Sequence, residues 1–213
     1  MIIGLSGRMG SGKDTAAVIM MKLLYDLNNE EWHNKKFANK LKLVTAILTG
    51  TPLHYLESQE IKAMEMPDCW DYNYDLIDHD NQQIIGRGIV KLEDRRKKYT
   101  YREFLQRVGT EAMRNGIHQN VWVNALFADY DEEENKSKWI ISDVRFKNEA
   151  EAVKQLGGII IRIERDLPEV ENSNHPSEHD LDNWEFDYTV TNNGTKDELA
   201  EKLKEILLQA KIL

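Results

Sequence analysis

The strongest constraint on the fold is a glycine-rich segment that lies between an apolar run and an amphipathic run. Residues Gly7–Thr15, with the sequence GRMGSGKDT, follow the apolar residues Met1–Ser6. The residues after them, to Asn28, place apolar side chains at helical spacing. This order predicts a buried strand, a tight loop and a helix over about 14–28. A strand and a helix joined by such a loop are typical of an α/β domain, with the loop at the carboxyl end of the strand.

The loop also has the composition of a phosphate-binding loop. Its glycines let the backbone turn N–H groups toward phosphate oxygens, and the helix that follows adds the positive end of its dipole. We therefore predict that Gly10, Ser11, Gly12 and Lys13 bind a triphosphate, with the Lys13 amine reaching the β- and γ-phosphates. The alternative is a tight turn with a chance lysine.

The residues after the lysine depart from the usual loop, in which Ser or Thr binds the metal directly. Asp14 occupies that position, and Thr15 comes one residue later. Because neighbouring helical residues differ by about 100° in direction, Thr15 cannot simply replace the missing hydroxyl, and we expect it to contact the α-phosphate. Asp14 is predicted to hold Mg²⁺ through water. The alternative is a first-turn acid that only complements the helix dipole.

Short apolar runs alternate with helical patterns along the rest of the chain, which predicts a central parallel sheet of about five strands in a three-layer P-loop NTPase fold. Further strands are predicted near 35–38 and at Trp139–Asp143, Ile159–Ile163 and Tyr188–Thr191. Further helices are predicted from Asn39 to about 48 and at Thr100–Arg114, Val121–Tyr130, Asn148–Leu156 and Thr195–Gln209. In the last of these, Thr195 and Glu198 have the spacing of a capping box.

The 213 residues are predicted to form one P-loop domain, 1–213, with two additional segments. Residues from about 51 to 99 are polar and rich in turns, with a hairpin around 84–92, and are predicted to be an insertion. Residues from about 165 to 185 are predicted to be a lid loop that excludes water from a bound donor. His175 and His179 have helical spacing, but Pro176 between them and the lack of a cysteine partner disfavour a zinc site.

Composition excludes several classes of function. The net charge of −9 makes nucleic acid and anionic membranes poor partners. The single cysteine, Cys69, excludes an intramolecular disulfide framework. No apolar stretch approaches the ~20 residues of a membrane span, and the N-terminus carries no basic leader, so we expect a cytoplasmic protein. The sequence gives no oligomeric state and leaves a homodimer open.

Asp143 and Arg145 follow a predicted strand and should face the glycine loop. A carboxylate there can hold the water shell of a metal or act as a base toward the acceptor; the alternative is a cap on the following helix. Arg145 is predicted to clamp a phosphate with two hydrogen bonds, and the alternative is an ordinary surface arginine. Gln106, Arg114 and Trp122 lie in or beside a predicted helix pair, where spacing alone does not separate ligand binding from surface polarity.

Together, these segments resemble the phage-type deoxynucleoside monophosphate kinases of the P-loop nucleoside monophosphate kinase group. The resemblance covers nearly the whole chain and is weakest over about 51–99. It is carried by GRMGSGKDT at 7–15, Phe37-Ala38 with Leu41-Lys42, LQRVGTE at 105–111 with Arg114, SDVRFKNEA at 142–150, Gly157-Gly158, His175 with Ser177-Glu178, and NNGT at 192–195.

The resemblance implies ATP as donor, Mg²⁺ as cofactor and a deoxynucleoside monophosphate as acceptor, and, for a phage protein, the host cytoplasm. It implies that Arg165 and the loop after it form the lid. From the residues themselves we predict catalytic roles for Lys13, Asp143 and Arg145, and for Arg165 or Arg162 in offsetting charge as the lid closes. Asp14 or Asp143 is predicted to hold the metal through water. Asn193 would lie near the donor adenine. The residues toward the acceptor would be Phe37, Lys42, Gln106, Arg114, Trp122 and Arg145.

Three alternatives stay open at this point. Another small-molecule P-loop kinase, of the dephospho-coenzyme A or phosphomevalonate type, would share the loop and the fold. A guanine-nucleotide switch would need an Asn-Lys-x-Asp motif, and both Asn34-Lys35 and Asn135-Lys136 lack the acid. A non-catalytic P-loop module would bind ATP without transferring phosphate.

Overall fold

The structure, a computed structural model, describes residues 1–67, 70, 99–130, 138–166 and 176–213, together with the backbone of 74–78 and 83–88. The chain divides into two compact units. The first contains Met1–Lys40 and Asn120–Leu213, and the second contains Leu41–Gln119. Strands and helices are numbered below in their order along the chain.

The first unit is built on a five-stranded parallel sheet, as the sequence predicts. Its strands are β1 (Ile2–Ser6), β2 (His33–Lys35), β5 (Trp139–Ile141), β6 (Ile159–Glu164) and β7 (Tyr188–Thr191). They lie in the order β2-β5-β1-β6-β7, so the first strand of the chain is the central one. Because all five strands are parallel, their carboxyl ends meet at one edge of the sheet.

The central position of β1 in the sheet explains why its sequence is apolar and does not alternate with polar residues. Ile3 pairs with Ile140 on one side and with Ile159 on the other. Helices cover both faces of a parallel sheet, so successive side chains are all buried, and Ile2, Ile3 and Leu5 are fully inaccessible to solvent.

The helices of the first unit are α1 (Lys13–Asn28), α5 (Val121–Phe127), α6 (Lys147–Gln155) and α7 (Lys196–Gln209). Helix α2 (Phe37–Thr49) begins in the first unit, and its residues from Leu41 onward belong to the second. Helices α1 and α7 contribute Ala16, Met20, Leu24, Leu199 and Leu203 to the main apolar core. The predicted capping box at the start of α7 is confirmed, because Thr195 and Glu198 exchange hydrogen bonds. Within the described residues, no helix is both long enough and apolar enough to cross a bilayer.

The predicted boundary between β2 and α2 is wrong by about two residues. The strand was expected at 35–38 and the helix from Asn39, but β2 ends at Lys35 and α2 begins at Phe37. The reason is a distant cap: the Asp143 carboxylate accepts hydrogen bonds from the backbone N–H groups of Phe37 and Ala38. A helix start that is fixed by a residue more than a hundred positions away leaves no local signal.

The second unit contains short elements. They are a 3₁₀ turn at Leu53–Glu57, α3 (Gln59–Ala63), an antiparallel hairpin of β3 (Tyr74–Asp78) and β4 (Gln83–Gly88), α4 (Tyr101–Gln106) and a π-helical segment at Arg107–Asn115. The hairpin predicted around 84–92 therefore lies earlier in the chain, and 89–92 are outside the described residues. The single helix predicted at Thr100–Arg114 is present as α4 followed by the π-helical segment, and Thr100 caps it.

Candidate active site

The glycine loop has a backbone conformation that side chains would obstruct. Gly12 has φ +98°, and a methyl group added there would lie 2.3 Å from Nδ2 of Asn192. The same Asn192 amide donates a hydrogen bond of 2.9 Å to the Ser11 carbonyl. The end of β7 therefore holds the loop in place, and only glycine at position 12 permits this close approach.

Lys13 is buried beneath the loop that it follows. Its amine donates hydrogen bonds to the carbonyls of Gly7, at 2.6 Å, and Arg8, at 2.7 Å. Burial lowers the pKa of Lys13 to about 8, and repulsion from Arg145 acts in the same direction. The buried amine is hydrogen-bonded to two neutral carbonyl oxygens, and an anionic ligand would bind it more strongly than they do.

A cavity of about 420 Å³ lies beside the loop, within the size range of small-molecule sites. Its lining includes Arg8, Arg162 and Arg165, together with Ser11 and Asn193. The Ser11 hydroxyl is buried and has no hydrogen-bond partner among the described residues. The three arginines outnumber the two carboxylates that also line the cavity, Glu164 and Asp166. Together with the Ser11 hydroxyl they suit an anionic, oxygen-rich ligand.

Arg162, in β6, is held by neighbouring side chains, whereas Arg165, just after β6, is exposed to solvent. The Arg162 guanidinium donates to the Ser6 hydroxyl at 3.2 Å and lies 5.2 Å from the Phe186 ring centroid, and burial lowers its pKa. Arg165 is exposed. Asn193 accepts from the Asp166 backbone N–H at 2.8 Å and donates to the Asp166 carboxylate at 2.6 Å, so it holds the start of the predicted lid loop.

Asp14 is exposed at the first turn of α1, next to the end of β5. One of its oxygens contacts the Lys36 amine at 2.7 Å and accepts from the Ser142 hydroxyl at 3.2 Å. Partial burial opposes ionisation, but Lys36 and Ser142 outweigh it and hold the pKa of Asp14 below its ordinary value. Asp14 is therefore charged at neutral pH. Thr15 follows it in the same turn and is half-buried.

Asp143 places both carboxylate oxygens on the N-terminus of α2. It accepts from Phe37 at 2.8 Å and from Ala38 at 2.9 Å. Loss of hydration raises the pKa of Asp143, while these two hydrogen bonds oppose the rise. The cap predicted as an alternative role is present, but it serves α2 and not the helix that follows Asp143.

Replacing Asp143 with alanine should lower the free energy of unfolding by about 1–2 kcal/mol, because two N–H groups lose their acceptor. Asp143→Asn keeps one acceptor oxygen and should cost roughly half as much. Urea denaturation followed by circular dichroism measures both values. Equal stability of the alanine variant and the wild type would show that the cap contributes nothing.

Arg145 is held at its backbone and at its side chain. Its N–H donates to the Glu149 carboxylate at 2.8 Å, and its guanidinium forms an ion pair with Glu178. A second Glu178 oxygen accepts from the Met9 backbone N–H at 3.0 Å. Glu178 therefore contacts both Arg145 and the glycine loop.

The remaining predicted acceptor residues lie in both units. In the first unit, Phe37 is buried with its ring 6.0 Å from that of Phe127, and Trp122 is also buried. In the second unit, Lys42 is buried and pairs with Glu57 at 2.7 Å, Arg114 is buried and donates to the Gln119 carbonyl, and Gln106 is half-buried.

Two residues that the structure brings to the loop were not predicted as site residues. Asn192 was expected in a turn on the same rim of the sheet as the glycine loop, because it directly follows a predicted strand, but its contact with the loop was not predicted. Glu178 was noted only as part of the family resemblance. Cys69, His175 and most of the first half of the predicted lid loop lie outside the described residues. His179 is described, and its ring contacts Asp182 at 2.9 Å.

A sequence model of the deoxynucleotide monophosphate kinase family matches residues 34–203. A protein described as a putative deoxynucleotide monophosphate kinase, from Acanthamoeba polyphaga mimivirus, is 31% identical over 216 residues, which cover 95% of this chain and 93% of the relative. The chain belongs to the deoxynucleotide monophosphate kinase family. The matched region begins after the glycine loop, so the loop geometry is an observation independent of the family model.

Other members of the deoxynucleotide monophosphate kinase family are more distant. The enzyme of Enterobacteria phage T4 is 28% identical over 121 residues, 56% of this chain and 48% of that protein. The deoxynucleoside-5′-monophosphate kinase of Escherichia phage T5 is 23% identical over 184 residues, 72% of each chain. A solved shikimate kinase from Acinetobacter baumannii, in complex with shikimate, has a TM-score of 0.45 and 17% identity, over 100% of this chain and 95% of that one.

Proposed function

We propose that this chain transfers the γ-phosphoryl group of ATP to deoxynucleoside 5′-monophosphates and releases ADP and the diphosphates. Membership of the family supports the reaction and the acceptor class. The observation that carries the donor assignment is the buried Lys13 amine, with its lowered pKa, under a glycine loop beside an arginine-lined cavity.

The donor would bind along the loop and the cavity. Backbone N–H groups of Gly10–Lys13 and the Lys13 amine would hold the β- and γ-phosphates. Asn193 borders the cavity where a base would lie, and Arg165 would offset charge as the lid segment, about 165–185, closes. Phosphoryl transfer asks mainly for such positioning and charge neutralisation.

On the acceptor side, an oxygen of the monophosphate attacks the γ-phosphorus, and the bond from that phosphorus to the ADP oxygen breaks. Arg145 would hold the acceptor phosphate. Asp143 would act as a base toward the acceptor or hold the water shell of the metal. We propose that residues from about 51 to 99 form an acceptor-binding insertion within the single P-loop kinase domain. The assignment of Phe37, Lys42, Gln106, Arg114 and Trp122 to the acceptor rests on the sequence.

The residues present fit an Mg²⁺ ion bound through water. Mg²⁺ keeps several waters and usually needs only one or two carboxylates besides the substrate phosphates. Asp14 is exposed and charged, and one of its oxygens accepts none of the described hydrogen bonds. Asp143 is already occupied by two backbone N–H groups, so it suits a supporting role. The ion would supply charge neutralisation at the β- and γ-phosphates.

A panel of acceptors tests this function. With ATP and Mg²⁺, we expect ADP release with one or more of the four common deoxynucleoside monophosphates, measured by a coupled assay. The four ribonucleotides are compared in parallel to reveal sugar selectivity. Release with only dephospho-coenzyme A or phosphomevalonate would replace the deoxynucleotide assignment, and ATP binding without any acceptor-dependent release would indicate a non-catalytic module.

A further inference from the structure

Glu178 joins two parts of the proposed active site that are far apart in the sequence. One of its carboxylate oxygens accepts from the Met9 backbone N–H at 3.0 Å, and the other pairs with the Arg145 guanidinium. The Glu178 side chain is 17% exposed and that of Arg145 is 29% exposed. An ion pair at this degree of burial is screened less by solvent than a pair on the open surface.

The bridge leaves Arg145 able to bind a ligand. A guanidinium has five N–H donors, and the contact with Glu178 involves Nη1. A phosphate can therefore bind the remaining donors while the carboxylate fixes the plane of the group. Because Glu149 holds the Arg145 backbone N–H, the residue is constrained at both ends.

The neighbouring carboxylates on the same segment have different partners. Asp180 accepts from the Lys147 backbone N–H, at the start of α6, at 2.7 Å. Asp182 contacts the His179 ring at 2.9 Å and lies 3.9 Å from the Arg162 guanidinium. Among the contacts of these three carboxylates in the described part of the chain, only those of Glu178 reach both the glycine loop and Arg145.

We propose that Glu178 is a positioning residue, which sets the place of the Arg145 guanidinium relative to the glycine loop. The inference rests on the proposed function, in which the loop holds the donor and Arg145 holds the acceptor phosphate. In-line transfer depends on the distance between these two phosphates, and a displacement of about 1 Å can cost roughly a hundredfold in rate. A carboxylate repels phosphate, so Glu178 acts through Arg145 and not on the substrate.

The test compares Glu178→Gln with Asp180→Asn, a matched loss of one charge two residues away. With the best acceptor, we expect kcat of Glu178→Gln to fall by about tenfold to a hundredfold, while KM for ATP changes by less than about threefold. Asp180→Asn should keep kcat within about twofold of the wild type. Thermal unfolding by circular dichroism identifies any variant that has lost the fold.

A double-mutant cycle separates positioning from simple structural support. If Glu178 acts through Arg145, the Glu178→Gln change should have no further effect on kcat in an Arg145→Ala background. An equal loss in both backgrounds, or an active folded Glu178→Gln enzyme with wild-type kcat, would overturn the proposal. A wild type that shows no acceptor-dependent ADP release would instead refute the proposed function.

Discussion

Replacing Lys13 with methionine should reduce kcat/KM by about a thousandfold or more, because the charge that neutralises the transferring phosphates is lost. The fold should survive. Lys13 is 8% exposed, and burial already lowers the pKa of its amine to about 8, so keeping the amine charged costs free energy in the ligand-free protein. Methionine fills a similar volume without that cost, but the Gly7 and Arg8 carbonyls lose their donor. The two effects oppose each other, so we expect a melting temperature close to that of the wild type.

Lys22→Met is the matched control for this change. Lys22 lies on the same helix, α1, but its side chain is exposed. The control should retain wild-type kcat/KM in the ADP-release assay. A Lys13→Met variant with more than about a tenth of wild-type activity would contradict the role of Lys13 in holding the donor phosphates.

Replacing Gly12 with alanine should lower kcat/KM by roughly a hundredfold and also lower the melting temperature. Two effects combine. The φ of +98° is strained for alanine, and the new methyl group would meet Asn192 Nδ2 at 2.3 Å. Asn192 would have to move, and the Ser11 carbonyl would lose the hydrogen bond that fixes the loop.

Gly50→Ala separates backbone strain from the steric clash. Gly50 has φ +71°, and an added methyl group would meet nothing within 4 Å. Its replacement should cost about 1 kcal/mol in stability and leave kcat/KM unchanged. If Gly12→Ala behaves like Gly50→Ala in both measurements, contact with Asn192 does not control the loop. If the double variant Gly12→Ala/Asn192→Ala recovers part of the stability that Gly12→Ala loses, the clash with Asn192 causes that part of the loss.

Much of the fold could be predicted because its strongest signals are local. Strand β1 is apolar throughout since it is central and buried on both faces, and a glycine loop followed by Lys13 predicts the start of α1. The capping box of α7 lies within four consecutive residues. The start of α2 could not be predicted, because its cap, Asp143, is supplied from the end of β5.

In the candidate site, too, some residues have a local signal in the sequence and others are placed only by distant contacts. The residues of the glycine loop follow from the sequence, because glycines and one lysine at fixed spacing carry a physical meaning. The contacts of Asn192 and Glu178 depend on strand order and on the course of a polar loop, and neither leaves a periodic pattern. The chemistry of both residues is ordinary for surface residues. The position of Asn192 after a strand indicates the edge of the sheet at which the loop lies, but only the assembled structure gives its contact with Ser11 and that of Glu178 with Met9.

The central place of β1 also has a consequence for synthesis of the chain. This strand is synthesised well before both of its neighbours, β5 and β6, which begin at Trp139 and Ile159. Until those segments are made, an apolar strand with unsatisfied backbone groups has no native neighbour, which is a hazard for aggregation. The nascent chain therefore contains every residue of the glycine loop long before the residues that contact the loop are made. The pairing of β1 with β5 and β6 joins residues far apart in the sequence, which favours slow folding.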